Sequence, residues 1–286
     1  MAKRPPSNTP VKLPYFDYLL GLLERGNNAV TQSFGRHVHW GYWQHPKAAR
    51  LTADDFAEAA EQLSAQLCLA AGLTNGLRVL DVGCGFGGTI AHINENYTDM
   101  DLVGFNLDER QLARARTLVL PLANNRVQFL QGNACALPFA DQSVDVVLAV
   151  ECIFHFPSRL QFFNEAFRVL KPGGYLALSD FIPIPAITPL LKFKRTGIIK
   201  DGFYGACNLQ YTAQHYQQLA SSTGFEPQLC RDITENTLPT YRYLRRLSVQ
   251  QRIGSLPAAL ETAAIEFLSR MRWVKYVIYA WQKPEV

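Results

Sequence analysis

The sequence of 286 residues predicts an α/β protein with a doubly wound, mostly parallel sheet of seven strands. Short apolar runs alternate with amphipathic stretches of helical length, an order typical of a parallel sheet that helices cover on both faces. The run VDVVLAV (144–150) is apolar throughout, as a strand buried on both faces requires. The glycine-rich stretch GCGFGG (83–88) follows the first apolar run, where the chain must turn from a strand into a helix.

Each strand is predicted from a short apolar run, and each helix from the amphipathic stretch that follows it. The helix at 51–73 has Thr52 in the N-cap position, where its hydroxyl can accept a backbone N–H. The helix at 159–170 is expected to end at KPGG, because proline and glycine do not continue a helix. The predicted strands cover residues 77–82, 102–105, 127–131, 144–150, 175–180, 224–233 and 273–281.

These elements form one domain, because no repeat and no long linker interrupts the chain after its first residues. The segment after the fifth strand departs from the strand–helix rhythm and begins with three prolines, so we interpret it as a lid. In order, we expect a disordered N-terminus (1–14), then a single domain (15–286) made of a helical cap (15–73), a cofactor-binding core (74–181), a lid insertion (182–222) and closing strands with a helix (223–286).

The composition excludes several classes of protein. A net charge of +4 is too small to predict nucleic-acid binding, which uses a dense basic stripe. The longest apolar stretch, FIPIPAITPLL (181–191), is too short for a transmembrane helix. The six cysteines are dispersed, which favours reduced thiols and a cytoplasmic location, and no histidine or cysteine spacing predicts a metal site.

The stretch VLDVGCGFGG (79–88) predicts a ligand-binding turn, because its glycines let a ligand approach the backbone closely. Gly83, Gly85 and Gly88 also satisfy the G-x-G-x-x-G pattern of dinucleotide sites, which keeps an NAD(P)-dependent oxidoreductase as an alternative. Asp81 argues against that alternative. A carboxylate two residues before the first glycine would repel a diphosphate and attract a ligand with an ammonium or sulfonium group.

Four segments match, in the same order, the motifs of one known family. VLDVGCGFGG resembles its first motif, and GFNLDERQL (104–112) the segment that closes its second strand. QGNACALPF (131–139) resembles its GDA-x-x-LPF segment, and LKPGGYLALSDF (170–181) the entry into its fifth strand. The sequence therefore resembles the class I S-adenosylmethionine-dependent methyltransferases, in particular those acting on tocopherols, quinols and natural products. The resemblance implies a Rossmann-like methyltransferase fold, S-adenosyl-L-methionine as donor, S-adenosyl-L-homocysteine as product and a small-molecule acceptor.

The resemblance also implies which residues contact the cofactor. The backbone at Gly83 and Gly85 would lie against the methionine part. Asn106 replaces the usual acid that holds the ribose hydroxyls, and Asn133 replaces the usual aspartate at the adenine amino group; both amides can still hydrogen-bond, with weaker binding. His39 matches a segment that folds over the cofactor carboxylate, although a surface histidine fits the sequence equally well. The predicted cofactor-binding residues are His39, Asp81, Gly83, Gly85, Asn106, Leu107, Gln111, Asn133, Ala134 and Glu151.

Methyl transfer to a hydroxyl requires a base that removes the hydroxyl proton. His155 follows the fourth strand and titrates near neutrality, so it is predicted as the catalytic base. Asp180, at the end of the fifth strand, is predicted to orient His155 or to hold the acceptor. A structural His155 that hydrogen-bonds the backbone is nearly as compatible with the sequence. Four aromatic residues are candidates for cation–π contacts with the sulfonium: Trp40, Tyr42, Trp43 and Phe154.

Several functions stay open on the sequence alone. C-methylation of a prenylated aromatic or terpenoid and N-methylation would use the same donor, and a non-catalytic module would bind it without transfer. The basic helix segment YRYLRRL (241–247) has no assigned role. Four lid cations fit either the entrance for an apolar acceptor with a polar end or a solvated surface: Lys192, Lys194, Arg195 and Lys200.

Overall fold

The computed structural model describes residues 13–193, 202–205 and 207–285. Residues 1–12 of the segment expected to be disordered lie outside the described residues. Pro14 already begins the first helix, so the predicted end of that segment is too late. The lid cations Lys194, Arg195 and Lys200, and the side chain of Lys192, also lie outside the described parts of the chain.

One seven-stranded sheet forms the centre of the protein. Its strands are β1 (Arg78–Val82), β2 (Asp101–Asn106), β3 (Arg126–Gln131), β4 (Val144–Val150), β5 (Leu170–Pro183), β6 (Glu226–Asp232) and β7 (Val274–Gln282). The order is β3-β2-β1-β4-β5-β7-β6, in which the first five strands are parallel and β7 runs antiparallel to β5 and β6. The predicted fold class, a doubly wound and mostly parallel sheet, is confirmed.

Helices cover both faces of this sheet, because alternate residues of each strand point to opposite sides. Val79 of β1 packs in one cluster with Leu67 and Ile90, and its neighbour Leu80 packs in a second cluster with Phe162. The helices of the described residues are α1 (Pro14–Glu24), α2 (Asn28–Phe34), α3 (Ala53–Ala70), α4 (Gly88–Asn96), α5 (Glu109–Leu118), α6 (Arg159–Val169), α7 (Thr188–Phe193), α8 (Ala213–Thr223), α9 (Thr234–Thr237), α10 (Pro239–Gln251) and α11 (Leu256–Arg270).

Two boundaries differ from the sequence prediction. β5 begins at Leu170 and not at residue 175, because Leu170 pairs with Val144 of β4 and keeps the KPGG segment in the sheet. Residues 213–222, expected in the lid, belong to α8, which packs against α6. The predicted N-cap is confirmed, since the Thr52 hydroxyl accepts the backbone N–H of Asp55 at 3.2 Å. Across the described ranges, no helix has both the length and the apolar character to cross a membrane.

Candidate active site

The carboxyl ends of β1, β2 and β4 enclose a cleft at the point where the strand order reverses. The chain leads outward from β1 through β2 to β3, and β4 returns to the other side of β1. The structure brings together at this cleft all ten residues that the sequence predicted for cofactor binding, and also His155. It does not bring Asp180 there.

The turn between β1 and α4 requires glycine for backbone conformation and for packing. Gly83 and Gly85 have φ angles of +78° and +55°, which other residues rarely adopt. A Cβ atom on Gly83 would lie 2.6 Å from Sγ of Cys152, and one on Gly85 would lie 2.9 Å from Val38. Besides the tight turn and the approach of a ligand, which the sequence predicts, the protein's own side chains need this space.

Asp81 is a buried carboxyl group, and no cation in the described part of the chain forms an ion pair with it. The residue is 1% exposed, and its Oδ1 has no hydrogen-bond donor among the described residues. Burial in apolar surroundings raises its pKa to about 7. A buried carboxylate without a partner is unfavourable, so a cation that enters the cleft beside Asp81 would be stabilised by it. The site is therefore chemically suited to the ammonium group of an amino-acid ligand.

Two amide side chains lie together where β2 ends. Asn106 donates from Nδ2 to Oε1 of Gln111 at 2.7 Å, and its Oδ1 accepts the N–H of Leu107 at 2.9 Å. Both residues line the same cleft, so their amide groups are placed where they could hydrogen-bond a diol. On the neighbouring loop, Oδ1 of Asn133 accepts the N–H of Cys135 at 2.9 Å, and this residue also lines the cleft.

A chain of contacts fixes the imidazole of His39, which lines the cleft. Its Nδ1–H donates to the carbonyl of Trp40 at 2.9 Å, and its Nε2 lies 3.1 Å from Nδ1 of His37. Nε2 of His37 lies 2.7 Å from Glu61, which also contacts His92 at 3.1 Å. Desolvation lowers the pKa of His39 to about 3, so the ring is neutral at pH 7. The segment from His37 to Trp40 thus forms an ordered part of the wall of the cleft.

Glu151 stands at the end of β4 in a strained backbone conformation, with a φ of +50°. Its carboxylate accepts the N–H of Trp40 at 2.9 Å and the hydroxyl of Tyr276 at 2.5 Å. Desolvation raises the pKa of Glu151 to about 8 in spite of these two hydrogen bonds. These two hydrogen bonds hold the carboxyl group of Glu151 in one orientation, at the place where the cleft meets a second cavity.

His155 lies in a short 3-10 turn, Ile153–His155, directly after β4. Its Nδ1 is 3.9 Å from Sγ of Cys207, and its ring contacts Phe154 with a centroid distance of 4.5 Å. The ring of Tyr15 from α1 stacks over it at 6.2 Å. His155 lines both the cleft and the second cavity. A general base must lie within reach of the group whose proton it removes, and a group held where the two cavities meet would be within reach of His155.

Asp180 has a different place from the one predicted. It is a fully buried residue of β5 and lines neither cavity. Its Oδ2 accepts from Nη2 of Arg159 at 2.7 Å and from the hydroxyl of Tyr216 at 2.5 Å. Asp180 therefore joins β5 to α6 and α8, and it lies outside the cleft where the other predicted site residues meet.

A second, larger cavity of about 850 Å³ opens from the cleft. The two cavities share seven lining residues: Tyr15, Val38, His39, Glu151, His155, Phe156 and Pro157. Most of its wall is apolar or aromatic and comes from the cap helices α1 and α2, from the 3-10 turn and from α10 and α11. The volume lies in the upper part of the range for small-molecule sites, roughly 300–1,000 Å³.

Several residues of the site escaped the sequence analysis. His37 and Glu61 hold His39, and Tyr276 from the far strand β7 holds Glu151. A local signal existed for His37, two residues before His39, but none for the pairing of β5 with β7 that delivers Tyr276. Within the described ranges, no group of three or more His, Cys, Asp or Glu side chains is arranged to hold a metal ion.

Comparison with known proteins agrees with this site. Residues 80–178 match a family model described as a methyltransferase domain. Methyltransferase GfsG of Streptomyces halstedii is 32% identical over 76% of this chain and 76% of its own. The 27-O-demethylrifamycin SV methyltransferase of Amycolatopsis mediterranei is 32% identical over 74% of this chain and 75% of its own.

Among solved structures, the geranyl diphosphate C-methyltransferase of Streptomyces coelicolor aligns with a TM-score of 0.70 and 18% identity, over 96% of this chain and 100% of that one. At this identity the likeness shows the fold alone. The sequence relatives show more, because the identity extends over three quarters of both chains. The fold and the cleft define a methyltransferase, and the chain belongs to the class I S-adenosylmethionine-dependent methyltransferases. The prediction of the family, the enzyme class and the donor is confirmed.

Proposed function

We propose that this enzyme transfers the methyl group of S-adenosylmethionine to a hydroxyl of a bulky, largely apolar small molecule. The observation that carries the proposal is the apolar cavity of about 850 Å³ that opens onto the glycine-turn cleft beside His155. Apolar walls bind an apolar skeleton in proportion to the area removed from water, roughly 25 cal/mol per Å². The relatives support the same assignment, because one of them is a methyltransferase of 27-O-demethylrifamycin SV.

The residues of the cleft fit the donor. The carboxylate of Asp81 would offset the ammonium charge beside the Gly83 turn, Asn106 with Gln111 would hold the ribose diol, and Asn133 would accept from the adenine amino group. When bound, S-adenosylmethionine supplies an electrophilic methyl group on a sulfonium. The protein's contribution is orientation, which can lower a barrier by roughly 7–11 kcal/mol when the reacting atoms are held in line.

We propose that His155 is the general base that removes the proton of the acceptor hydroxyl. Its ring lies on the wall shared by the donor cleft and the acceptor cavity, so it can reach a hydroxyl placed between them. Glu151 is the nearest alternative on that wall, but the N–H of Trp40 and the hydroxyl of Tyr276 already donate to its carboxylate. Tyr15 and Phe154 shield the His155 ring from water, which strengthens polar interactions within the site.

C-methylation of an alkene is the second candidate, and an aromatic cluster favours it. Trp40, Phe154 and Phe181 line the acceptor cavity, with Phe181 lying 5.8 Å from Trp40 and 6.0 Å from Phe154 between ring centroids. Aromatic faces stabilise a carbocation formed when an alkene attacks a methyl group. The same cluster also serves as plain apolar wall, so it does not outweigh His155.

The proposal is tested by supplying the enzyme with S-adenosylmethionine and three acceptors: 27-O-demethylrifamycin SV, geraniol and geranyl diphosphate. We expect S-adenosylhomocysteine to form with at least one of the two hydroxyl compounds, and the product to carry an O-methyl group by mass spectrometry and NMR. Methylation of geranyl diphosphate at carbon, without O-methylation of either alcohol, would replace the proposal by its second candidate.

The role of His155 is tested in the same assay. His155→Gln is expected to lower turnover with saturating acceptor by about 10² or more, the usual contribution of a general base, and to leave S-adenosylhomocysteine affinity unchanged. His45→Gln is the matched control, because His45 is exposed and lies outside both cavities. Equal turnover in the two variants would remove His155 from the chemistry.

A further inference from the structure

Helix α11 carries an apolar stripe on its solvent side. Leu256, Leu260, Phe267 and Met271 are 74%, 62%, 54% and 48% exposed. Their spacing of four, seven and four residues places them on one face, because an α-helix repeats every 3.6 residues. The stripe runs from Leu256 to Met271, the C-cap residue of the helix, a length of about 22 Å at 1.5 Å per residue. Trp273, 40% exposed, packs edge-to-face on Phe267 at 6.0 Å and prolongs the stripe.

Unpaired arginines lie on α10, the helix that precedes α11 and packs against it. Residues 239–275 contain seven arginine and lysine residues against two glutamates, an excess of +5 in a chain whose total is +4. One of the glutamates, Glu266, is buried between Arg245 and Arg270. Arg242, Arg246 and Arg252 are exposed, and no carboxylate of the described residues lies within ion-pair distance of them; all three belong to α10 or its C-cap.

The acceptor cavity reaches the surface beside the same helix. Four exposed residues line the cavity here: Val249 near the end of α10, Gly254 and Ser255 in the turn between the helices, and Ala259 in the first turn of α11. Val249 is 79% exposed, the highest value among the large apolar side chains that are exposed. The cavity mouth therefore lies within one helical turn of Leu256, where the apolar stripe begins.

We propose that α10 and α11 form a docking face for an anionic lipid membrane. A helix with one apolar face and flanking cations lies in the headgroup region, its apolar side chains reaching the acyl boundary and its cations the anionic lipids. The face is poorly suited to a second copy of the chain, because two such surfaces would bring the unpaired arginines of both together. Docking would hold the cavity mouth against the bilayer, from which an apolar acceptor enters without crossing water.

Membrane docking by α10 and α11 does not depend on which acceptor the enzyme methylates. Only the entry of an apolar acceptor from the bilayer rests on the proposed function. The experiment therefore uses no substrate. The full-length protein is sedimented with vesicles of phosphatidylcholine containing phosphatidylserine, and with vesicles of phosphatidylcholine alone. We expect the protein to partition onto the first kind, and an increase in ionic strength to reduce the binding because it screens the arginines.

Two double variants separate the two components of the face. Leu260→Ser with Phe267→Ser removes apolar contacts, and Arg242→Gln with Arg246→Gln removes charge; none of these four residues lines either cavity. Each pair is expected to weaken vesicle binding by about tenfold or more. Leu69→Ser with Leu120→Ser, on residues 69% and 68% exposed elsewhere, is the apolar control, and Arg126→Gln is the charge control.

The outcomes separate the possible partners. Equal binding by the variants and their controls, or the absence of binding to both kinds of vesicle, overturns the proposal. Sedimentation of the free protein as a dimer that the Leu260 and Phe267 variants convert to monomers would assign the face to a second copy. Vesicle binding together with failure to methylate any alcohol would leave the docking face intact and remove only the proposed acceptor.

Discussion

Replacement of Asp81 by asparagine is expected to stabilise the empty protein and to weaken its binding of the donor. Burial raises the pKa of Asp81 from 3.8 to about 7, so the folded chain holds a proton that the unfolded chain releases. At about 1.4 kcal/mol per pKa unit, the ionised carboxylate costs the folded state about 4 kcal/mol above pH 7. This cost is absent below about pH 4, where both states are protonated, and grows between these two pH values.

Asparagine removes the charge but leaves a buried amide without a partner, which costs about 1–3 kcal/mol. The net stabilisation of Asp81→Asn should therefore be about 2 kcal/mol at pH 8 and close to zero at about pH 5. Urea unfolding at both pH values measures it, and calorimetry should show weaker S-adenosylhomocysteine binding. Asp101→Asn, on a half-exposed carboxylate paired with Arg78, is the control and should change stability by less than about 1 kcal/mol.

The reasoning about Asp81 is refuted if Asp81→Asn is less stable than the wild type at pH 8 and binds S-adenosylhomocysteine equally well. That result would mean that the carboxylate has a favourable partner in the empty protein. Loss of both stability and binding would equally contradict the account, because it would show that the negative charge supports the fold.

Three further substitutions test other parts of the structure. Gly83→Ala forces a Cβ atom into a packed turn at positive φ, so it should lower the free energy of unfolding by about 1–3 kcal/mol and weaken S-adenosylhomocysteine binding. A variant as stable as the wild type would show that the turn has room for a Cβ atom. Arg159→Met leaves Asp180 buried without its cation and should destabilise the protein by about 3–5 kcal/mol near pH 7, as measured by urea unfolding. A loss of stability below about 1 kcal/mol would show that the ion pair is dispensable. Glu61→Gln weakens the series of contacts through His37 that orients His39, and it should raise the dissociation constant of S-adenosylhomocysteine severalfold in calorimetry. An unchanged dissociation constant would mean that the orientation of His39 does not affect cofactor binding.

Most of the sheet was readable from the sequence, because each buried strand is a continuous apolar run between turn residues. The bounds of β4 agree residue for residue with the prediction. The start of β5 was not readable, because Leu170 enters the sheet through its pairing with Val144, 26 residues away, and no local pattern encodes that contact. Helix α8 was missed for a related reason, since its amphipathic face becomes meaningful only against α6.

The cleft was more predictable than the contacts within it. Residues that end parallel strands meet at one edge of a sheet, so the motifs converge once the strand order is known. The partners of buried charges are a matter of tertiary packing: Arg159 neutralises Asp180 from 21 positions away, and Tyr276 reaches Glu151 across 125 positions. For this reason the sequence placed Asp180 in the chemistry, whereas the structure places it in the core.

The most direct test of the account is a calorimetric titration of the wild-type protein with S-adenosylhomocysteine and, separately, with NADH. We predict saturable binding of S-adenosylhomocysteine and no heat from NADH, because the carboxylate of Asp81 attracts an ammonium group and repels a diphosphate at the turn around Gly83. Saturable binding of NADH without binding of S-adenosylhomocysteine would contradict both the charge argument and the donor that the enzyme is assigned.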